Sequence, residues 1–383
     1  MRILFDYQAF EIQKIGGVSR LYAEIIPCLQ DLGVQCTLGL KESDNVYIKH
    51  DGIKPLNYTH NKYFNGKKWF KGQRTLTRKI MQVAGHKRDC LNINQEYCIK
   101  LLKQQQFDIF EPSFFDDYFL SYLKGKPFSM EVHDMIPELF SQYFPRDNFQ
   151  IIKKKKLCPL ATAIHVPSLK TKEDLVNILN IEPDKITVIG RGTPSINIPA
   201  IESPRLIDKP YLLYVGERGG YKNFTALLHE MTILIQSVPE LNLLCTGRPF
   251  DNDECQLLYN LGLSNHVHQC FANDDNFYAL YHHALAFVYP SAYEGFGLPI
   301  LEAYACGCPV LLNNASCFPE IGGEAAIYFN IDQKGDLAEH ILNLLHCGNE
   351  ERRQIITRGK KRAQCFSWQE SARKLMNVYK TIL

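Results

Sequence analysis

The sequence predicts an α/β protein of two doubly wound domains that face each other across a cleft. Short β-branched or aromatic runs alternate with longer helical patterns, which is typical of a parallel sheet covered by helices. The alternation stops once near the middle of the chain and then starts afresh. The 383 residues also exceed what one hydrophobic core usually serves, which favours two domains.

Each half contains six predicted strands. In the first half they lie at 2–6, 34–40, 108–111, 128–133, 161–166 and 186–189, with helical patterns such as 19–32 and 169–180 between some of them. Near residue 192 the stretch GTPSINIPAIESPRLIDKP predicts a linker. The second series lies at 211–215, 241–246, 267–270, 284–289, 309–312 and 325–329, before a polar helical end. Ligands of open α/β sheets bind at the carboxyl ends of strands, so functional residues should follow the strands.

Composition excludes several classes of protein. A formal net charge of +2 gives no bulk reason to expect nucleic-acid binding. No apolar run approaches the roughly 20 residues that cross a bilayer, and MRILFDYQAF lacks the apolar core of a signal peptide. The thirteen cysteines form no CxxC pair, which favours free thiols in a reducing compartment over zinc or disulfides. We therefore expect a cytoplasmic protein.

The fourth strand of the second series runs into PSAYEGFGLPILEAYACGCPV. Its glycines permit a tight turn, and Pro299 suits the first turn of a helix. Glu294 then lies in the loop and Glu302 in the first helical turns. The amides of Gly297 and Leu298 lie at the positive end of the helix, which suits a diphosphate, while the carboxylates could accept hydrogen bonds from sugar and ribose hydroxyls. Either glutamate alone suits a structural role; the complete segment favours a binding site.

Two further segments carry candidate residues. In YVGERGGYKN a strand leads to Gly216, and Arg218 and Lys222 precede a helix. Fixed cations beside a glycine-rich turn could neutralise a diphosphate leaving group, although a solvated turn is the alternative. Neither a Walker A order nor GxGxxG is present.

In the first half, His133 ends a strand on the cleft side and Asp134 follows, where capping the next turn is its simplest role. Gly16 and Gly17 follow strand one, where a backbone without side chains can approach phosphate or acceptor, or form a plain turn.

Glu-x7-Glu inside EGFGLP resembles the signature of retaining glycosyltransferases of family 4, which adopt the GT-B fold of two facing Rossmann-like domains. The resemblance extends along the whole chain, through the Gly-Gly loop, VHDMIPE, YVGERGGYKN and the closing FSWQESARKLMNVYK. It implies an acceptor-binding domain at 1–195, a nucleotide-sugar-binding domain at 205–366, and a final helix at 367–383 that crosses back to the first domain.

The resemblance also implies roles for the candidate residues. Arg218 and Lys222 hold the diphosphate, Glu302 the ribose and Glu294 the sugar hydroxyls, while His133 reaches across from the first domain. Further donor contacts fall to Gly216, Phe296, Gly297 and Leu298, with base contacts near Phe271. Family members often carry the arginine directly after the glycine, where this chain has Glu217.

The implied activity is retaining transfer of a hexose from a nucleoside diphosphate sugar to a glycan or lipid-linked saccharide, as in polysaccharide biosynthesis. The departing phosphate assists deprotonation of the acceptor, so neither a covalent nucleophile nor a metal or other cofactor is expected. HDMIPE with GYKN is most similar to mannosyltransferases that use GDP-mannose, and a UDP-hexose stays open. The alternatives are a GT-B sugar-nucleotide epimerase and a non-catalytic scaffold, whereas an NAD-dependent oxidoreductase should carry the missing GxGxxG.

Two other patterns have competing interpretations. Asp251-Asn252-Asp253 has the DxD spacing of metal-dependent glycosyltransferases, but it precedes a helix and N-capping explains it better. Residues 62–88 contain nine Lys or Arg and no acidic residue, and 153–156 are four lysines. A solvated face or loop explains such runs most simply; contact with an anionic inner membrane surface, worth about 1 kcal/mol per cation, is the alternative.

Overall fold

The computed structural model describes residues 1–49, 93–194, 204–271 and 277–383. In its first half, strands and helices alternate in the predicted order. The elements are β1 Arg2–Phe5, α1 Gln8–Ile12, α2 Gly17–Asp31, β2 Gln35–Leu38, α3 Ile93–Gln104, β3 Ile109–Glu111, β4 Ser129–Glu131, α4 Ile136–Leu139, α5 Phe149–Leu160, β5 Ala163–Val166, α6 Leu169–Leu179 and β6 Ile186–Val188.

The strands of this half are parallel and lie in the orders β2-β1-β3 and β4-β5-β6. A parallel bridge between Phe110 and Phe128 joins the two groups. The row therefore reads β2-β1-β3-β4-β5-β6, a doubly wound order that reverses direction between β1 and β3. Ligands of such sheets collect beyond the carboxyl ends of the strands at this reversal.

The second half repeats the architecture. Its elements are β7 Tyr211–Tyr214, α7 Phe224–Ser237, β8 Asn242–Thr246, α8 Asn252–Asn260, β9 Val267–Cys270, α9 Phe277–His283, β10 Ala286–Tyr289, α10 Leu298–Ala305, β11 Val310–Asn313, α11 Phe318–Gly322, β12 Ile327–Phe329, α12 Asp336–His346, α13 Asn349–Gln364 and α14 Trp368–Thr381. The sheet order is β12-β11-β10-β7-β8-β9, all parallel, and it reverses between β7 and β10. The loops after these two strands carry the YVGERGGYKN and EGFGLP segments.

The final helix, α14, packs on the first half of the molecule. Ser367 caps its start, and Leu375, Val378 and Tyr379 are buried in the core built on β1 and α2. A Cβ on Gly192 would lie 2.3 Å from the amide nitrogen of Trp368, so the chain leaving the first half passes directly against this helix. The predicted α/β class, the two facing sheets and the returning helix are all confirmed.

Several predictions can be compared with the fold directly. Each predicted strand overlaps one observed strand, and the predicted and observed bounds agree to within one or two residues at either end. Asp251 accepts a hydrogen bond from the amide of Glu254 in a capping box, as the N-capping interpretation expects. Among the described residues, no helix is long and apolar enough to cross a membrane, and no cluster of side chains suits a metal ion. The basic stretch 62–88 lies outside the described residues.

Candidate active site

Two helix N-termini meet where the halves of the molecule face each other. Gly17 begins α2 and Leu298 begins α10, and a Cβ on Gly17 would lie 3.9 Å from Cδ1 of Leu298. Leu298 packs against the hydrophobic cores of both halves. Gly297, with φ of 99°, adopts the left-handed backbone that allows the sharp entry into α10. Helix N-termini carry unpaired amides and partial positive charge, so their convergence suits an anionic group.

The loop that carries Glu294 forms a contact between the two halves. The carbonyl oxygen of Gly295 accepts a hydrogen bond from Oγ of Ser168 at 2.8 Å, and Oη of Tyr293 donates to Oδ2 of Asp174 at 2.8 Å. A Cβ on Gly295 would lie 2.0 Å from the carbonyl oxygen of His133. Only glycine therefore permits this close approach, which places the loop directly beside the predicted histidine.

Lys222 and Glu294 form an ion pair at the carboxyl ends of β7 and β10. Nζ of Lys222 lies 2.5 Å from Oε1 of Glu294, and the two side chains are 15% and 11% exposed. Burial lowers the pKa of Lys222, but Glu294, Tyr221 and Asp134 together outweigh burial and leave that pKa above its ordinary value of 10.5. Lys222 is thus a fixed cation at neutral pH, and the structure brings together two of the predicted site residues.

Glu302 is joined to the opposite half of the molecule by Arg20. Nη1 of Arg20, on α2, donates to Oε1 of Glu302 at 2.7 Å, and Nη2 donates to Oη of Tyr278 at 2.9 Å. Oη of Tyr281 donates to Oε2 of Glu302 at 2.8 Å. The sequence motifs described above do not include Arg20. The available signal was its position one turn after the Gly-Gly loop, where a helix starting at Gly17 presents it near the cleft.

His133 follows β4 at the contact between the halves. Its ring stacks on Phe114, with centroids 6.1 Å apart, and lies 6.0 Å from the ring of Phe115. Nδ1 lies 3.2 Å from Oε1 of Glu131, and within the described chain Nε2 has no hydrogen-bond partner. Asp134 accepts a hydrogen bond from the amide of Ile136 at 3.0 Å, which is the expected capping role.

A buried charged network lies beneath His133. Glu131 forms an ion pair with Arg191, and Nδ1 of His165 lies 3.5 Å from Oε2 of Glu131. Nε2 of His165 lies 2.7 Å from Oε1 of Glu111, whose other oxygen accepts from Tyr379 of α14. Burial raises the pKa of Glu131, but Arg191 and the imidazoles lower it further, so its net pKa is below the ordinary value of 4.5. The carboxylate beside His133 is therefore charged at neutral pH.

Arg218 makes its contacts away from the Lys222–Glu294 pair. Nε donates to Oε1 of Glu254 at 2.9 Å, and Nη2 donates to the carbonyl of Arg248 at 2.7 Å. The guanidinium lies 4.7 Å from the ring centroid of Phe250. These contacts tie Arg218 to the start of α8. Its predicted contact with a diphosphate stays a prediction.

The remaining predicted residues are Gly16 in the first half and Gly216, Phe271 and Phe296 in the second. Gly216 follows β7 with φ of 119°, and Gly16 precedes α2 in extended backbone. Phe296 is buried edge-on against Phe366, with ring centroids 5.9 Å apart. Phe271 directly follows β9 and is 74% exposed, so its ring is available for a contact with a ligand.

The lysines at 153–156 lie on α5, where most of them have partners. Lys153 and Lys156 both pair with Asp117 and lower its pKa to about 2. Lys154 is fully buried, and its Nζ lies 2.7 Å from Oε2 of Glu138. Three of the four lysines are thus paired within the protein, with Lys153 and Lys156 sharing one carboxylate, which weakens the interpretation of this run as a membrane-binding patch.

Comparisons with known proteins agree with this architecture. Residues 15–195 match the model of Glycosyltransferase Family 4, and residues 200–362 match that of Glycosyl transferases group 1. O-antigen chain mannosyltransferase B of Escherichia coli is 28% identical over 265 residues, which cover 65% of this chain and 69% of that protein. The serotype-specific mannosyltransferase WbdA of Escherichia coli is 26% identical over 258 residues, 63% of this chain, so the match spans only 32% of WbdA.

Solved structures share the fold at low sequence identity. A glycosyltransferase from Rickettsia africae matches 100% of this chain and 98% of its own length, with a TM-score of 0.68 at 19% identity. Anabaena HepE in complex with UDP and glucose matches 99% of each chain, with a TM-score of 0.70 at 18% identity. Both likenesses extend over the two halves and the cleft between them.

Proposed function

Because the chain belongs to the glycosyltransferases of family 4 and group 1, we propose that it transfers a hexose, with retention, from a nucleoside diphosphate sugar to a glycan or lipid-linked saccharide. The observation that carries this proposal is the Lys222–Glu294 pair, which lies at the carboxyl ends of β7 and β10 and shares a loop with the N-terminus of α10. A buried cation and oriented amides at one place suit a leaving diphosphate.

The transfer breaks the bond between the anomeric carbon and the diphosphate oxygen and forms a bond from that carbon to the acceptor oxygen. Negative charge grows on the diphosphate, and Lys222 with the amides of Gly297 and Leu298 would stabilise it. On the retaining route, the acceptor proton passes to the departing phosphate oxygen on the same face of the sugar. This route uses no carboxylate nucleophile and leaves Glu294 free to bind sugar hydroxyls.

Mannose is the hexose that we propose, with GDP-mannose as donor. Support comes from the two mannosyltransferases of Escherichia coli described above, each similar to about two thirds of this chain. A UDP-hexose is the competing donor, because Anabaena HepE was solved with UDP and glucose. Calorimetric titration with GDP, GDP-mannose, UDP and UDP-glucose separates the two. Binding of the uridine compounds alone would exclude the proposed donor.

The test of the site itself is Lys222→Ala in a transfer assay without added metal, followed by product analysis. Loss of one charge-stabilising donor typically lowers kcat about 100- to 1,000-fold. Lys374→Ala, at an exposed lysine of α14, is the matched control and should retain full activity. Unchanged kcat in Lys222→Ala would exclude this site. Release of a free sugar-nucleotide epimer, with no glycoside formed, would favour the epimerase alternative.

A lipid-linked acceptor would bring the enzyme to a membrane surface, and we propose that any such contact depends on the basic residues at 62–88 rather than on the paired lysines of α5. Co-sedimentation with vesicles that contain about 30% anionic lipid tests this. Replacing four of the nine basic residues should release the protein, whereas replacing the paired Lys153 and Lys156 of α5 by alanine should not. Equal binding by all variants would exclude the stretch as the contact.

A further inference from the structure

Arg20, in the first half, forms an ion pair with the carboxylate of Glu302 in the second half. Its side chain is 13% exposed and that of Glu302 is 6% exposed, so the pair is largely desolvated. The guanidinium uses separate nitrogens for Oε1 of Glu302 and Oη of Tyr278. Burial lowers the pKa of Arg20, but Glu302, Tyr278 and Tyr47 together outweigh burial and leave that pKa above the ordinary value. Arg20 therefore stays charged in this setting.

Both oxygens of the Glu302 carboxylate accept hydrogen bonds, but each can accept one more. Each carboxylate oxygen can accept two hydrogen bonds. Oε1 accepts one from Arg20, and Oε2 accepts one from Tyr281. One acceptor position on each oxygen is left, and two adjacent acceptors match the spacing of a vicinal diol. The 2′- and 3′-hydroxyls of a ribose are such a diol.

We propose that Arg20 is a positioning residue that holds Glu302 ready for the ribose, so that the first half of the molecule helps to recognise the nucleotide. The inference rests on the proposed function, in which Glu302 binds that ribose. Because Arg20 and Glu302 belong to opposite halves, the ribose site is complete only where the halves meet. Nucleotide binding and the approach of the two halves then favour each other.

A simpler role for Arg20 makes a different prediction. If the ion pair only holds the halves together, its loss lowers the affinity for every nucleotide by the same factor. If Arg20 orients Glu302, replacing Arg20 weakens only the binding of nucleotides that carry the ribose hydroxyls. A nucleotide and its 2′,3′-dideoxy analogue therefore distinguish the two roles.

The experiment is calorimetric titration of the full chain with GDP and 2′,3′-dideoxy-GDP, with the UDP pair in parallel. We use whichever base binds the wild type more tightly. Charged hydrogen bonds predict that the wild type prefers the ribose form by about 10- to 100-fold. Arg20→Met, which keeps an apolar stem, should reduce that preference to about 2-fold, as should Glu302→Gln. The double variant should lose no more, because both changes remove the same interaction.

Controls separate this inference from the site that it rests on. Arg373→Met removes an exposed pair on α14 and should leave the preference unchanged. Arg20→Lys keeps the charge without the fork and should be intermediate, which guards against misfolding of Arg20→Met. The proposed ribose site would be contradicted if the wild type bound the nucleotide and its dideoxy analogue equally, or if Glu302→Gln left the preference for the ribose form unchanged. If Glu302→Gln loses the preference while Arg20→Met keeps it, or weakens both ligands equally, the role of Arg20 is wrong.

Discussion

Glu131→Gln should cost the protein a large share of its stability while changing its shape very little. Glu131 is 2% exposed and Arg191 is 6% exposed, and the two form an ion pair beneath His133. Removing one partner of a buried pair leaves the other charge without compensation, which costs about 3–5 kcal/mol. Total unfolding free energies are about 5–15 kcal/mol, so the loss is roughly 30–50% of the stability of a protein in the middle of that range.

The pH dependence of this loss has a definite sign. Contacts in the folded state lower the pKa of Glu131 below 4.5. Its contribution is therefore fully present above the unfolded value and is lost as pH falls through the folded value. The titration of this carboxylate should therefore narrow the stability difference between wild type and Glu131→Gln below about pH 4.5.

Urea unfolding followed by circular dichroism measures the difference. Glu370→Gln is the matched control, since Glu370 and Arg373 form a pair whose side chains are 53% and 56% exposed, and it should change stability by less than about 1 kcal/mol. Glu131→Gln combined with Arg191→Met should recover part of the loss, because the isolated charge is then gone. A loss below about 1 kcal/mol at neutral pH, or a double variant less stable than the single one, would refute the reasoning.

Two further predictions concern the contact between the halves and the Lys222–Glu294 pair. Gly295→Ala places a methyl group 2.0 Å from the carbonyl oxygen of His133, so thermal melting should show a loss of stability of at least about 1–3 kcal/mol, together with reduced transfer activity. The control is Gly348→Ala, where the added Cβ meets no non-neighbouring atom within 4 Å, and it should change neither stability nor activity. An unaffected Gly295→Ala would disprove the close contact. The pKa of Lys222 lies above 10.5, so titration of this residue should not reduce kcat between about pH 7 and about pH 9. A decline in that range that disappears in Lys222→Arg would contradict the assignment.

Local sequence determined much of the fold. The strands of both sheets were recognisable because each is a short β-branched or aromatic run bounded by turn residues, a property that needs no distant partner. The start of α10 could be predicted for the same reason, because the backbone preferences of Gly297 and Pro299 depend on these residues themselves and not on distant contacts. The cap at Asp251 depends on an amide only three residues away.

Tertiary structure alone decided which charged groups meet. Glu302 was predicted from the first turns of its helix, but its partner Arg20 lies 282 residues earlier and on the other half of the molecule. Arg218 and Lys222 lie in one segment, yet one contacts Glu254 and the other Glu294. A long charged side chain can contact any group within several ångströms. Which group that is depends on how the helices and loops pack against each other, and local sequence does not determine it. The sequence by itself determined the backbone that carries the site, while the packing of the two halves decided how its charges are paired.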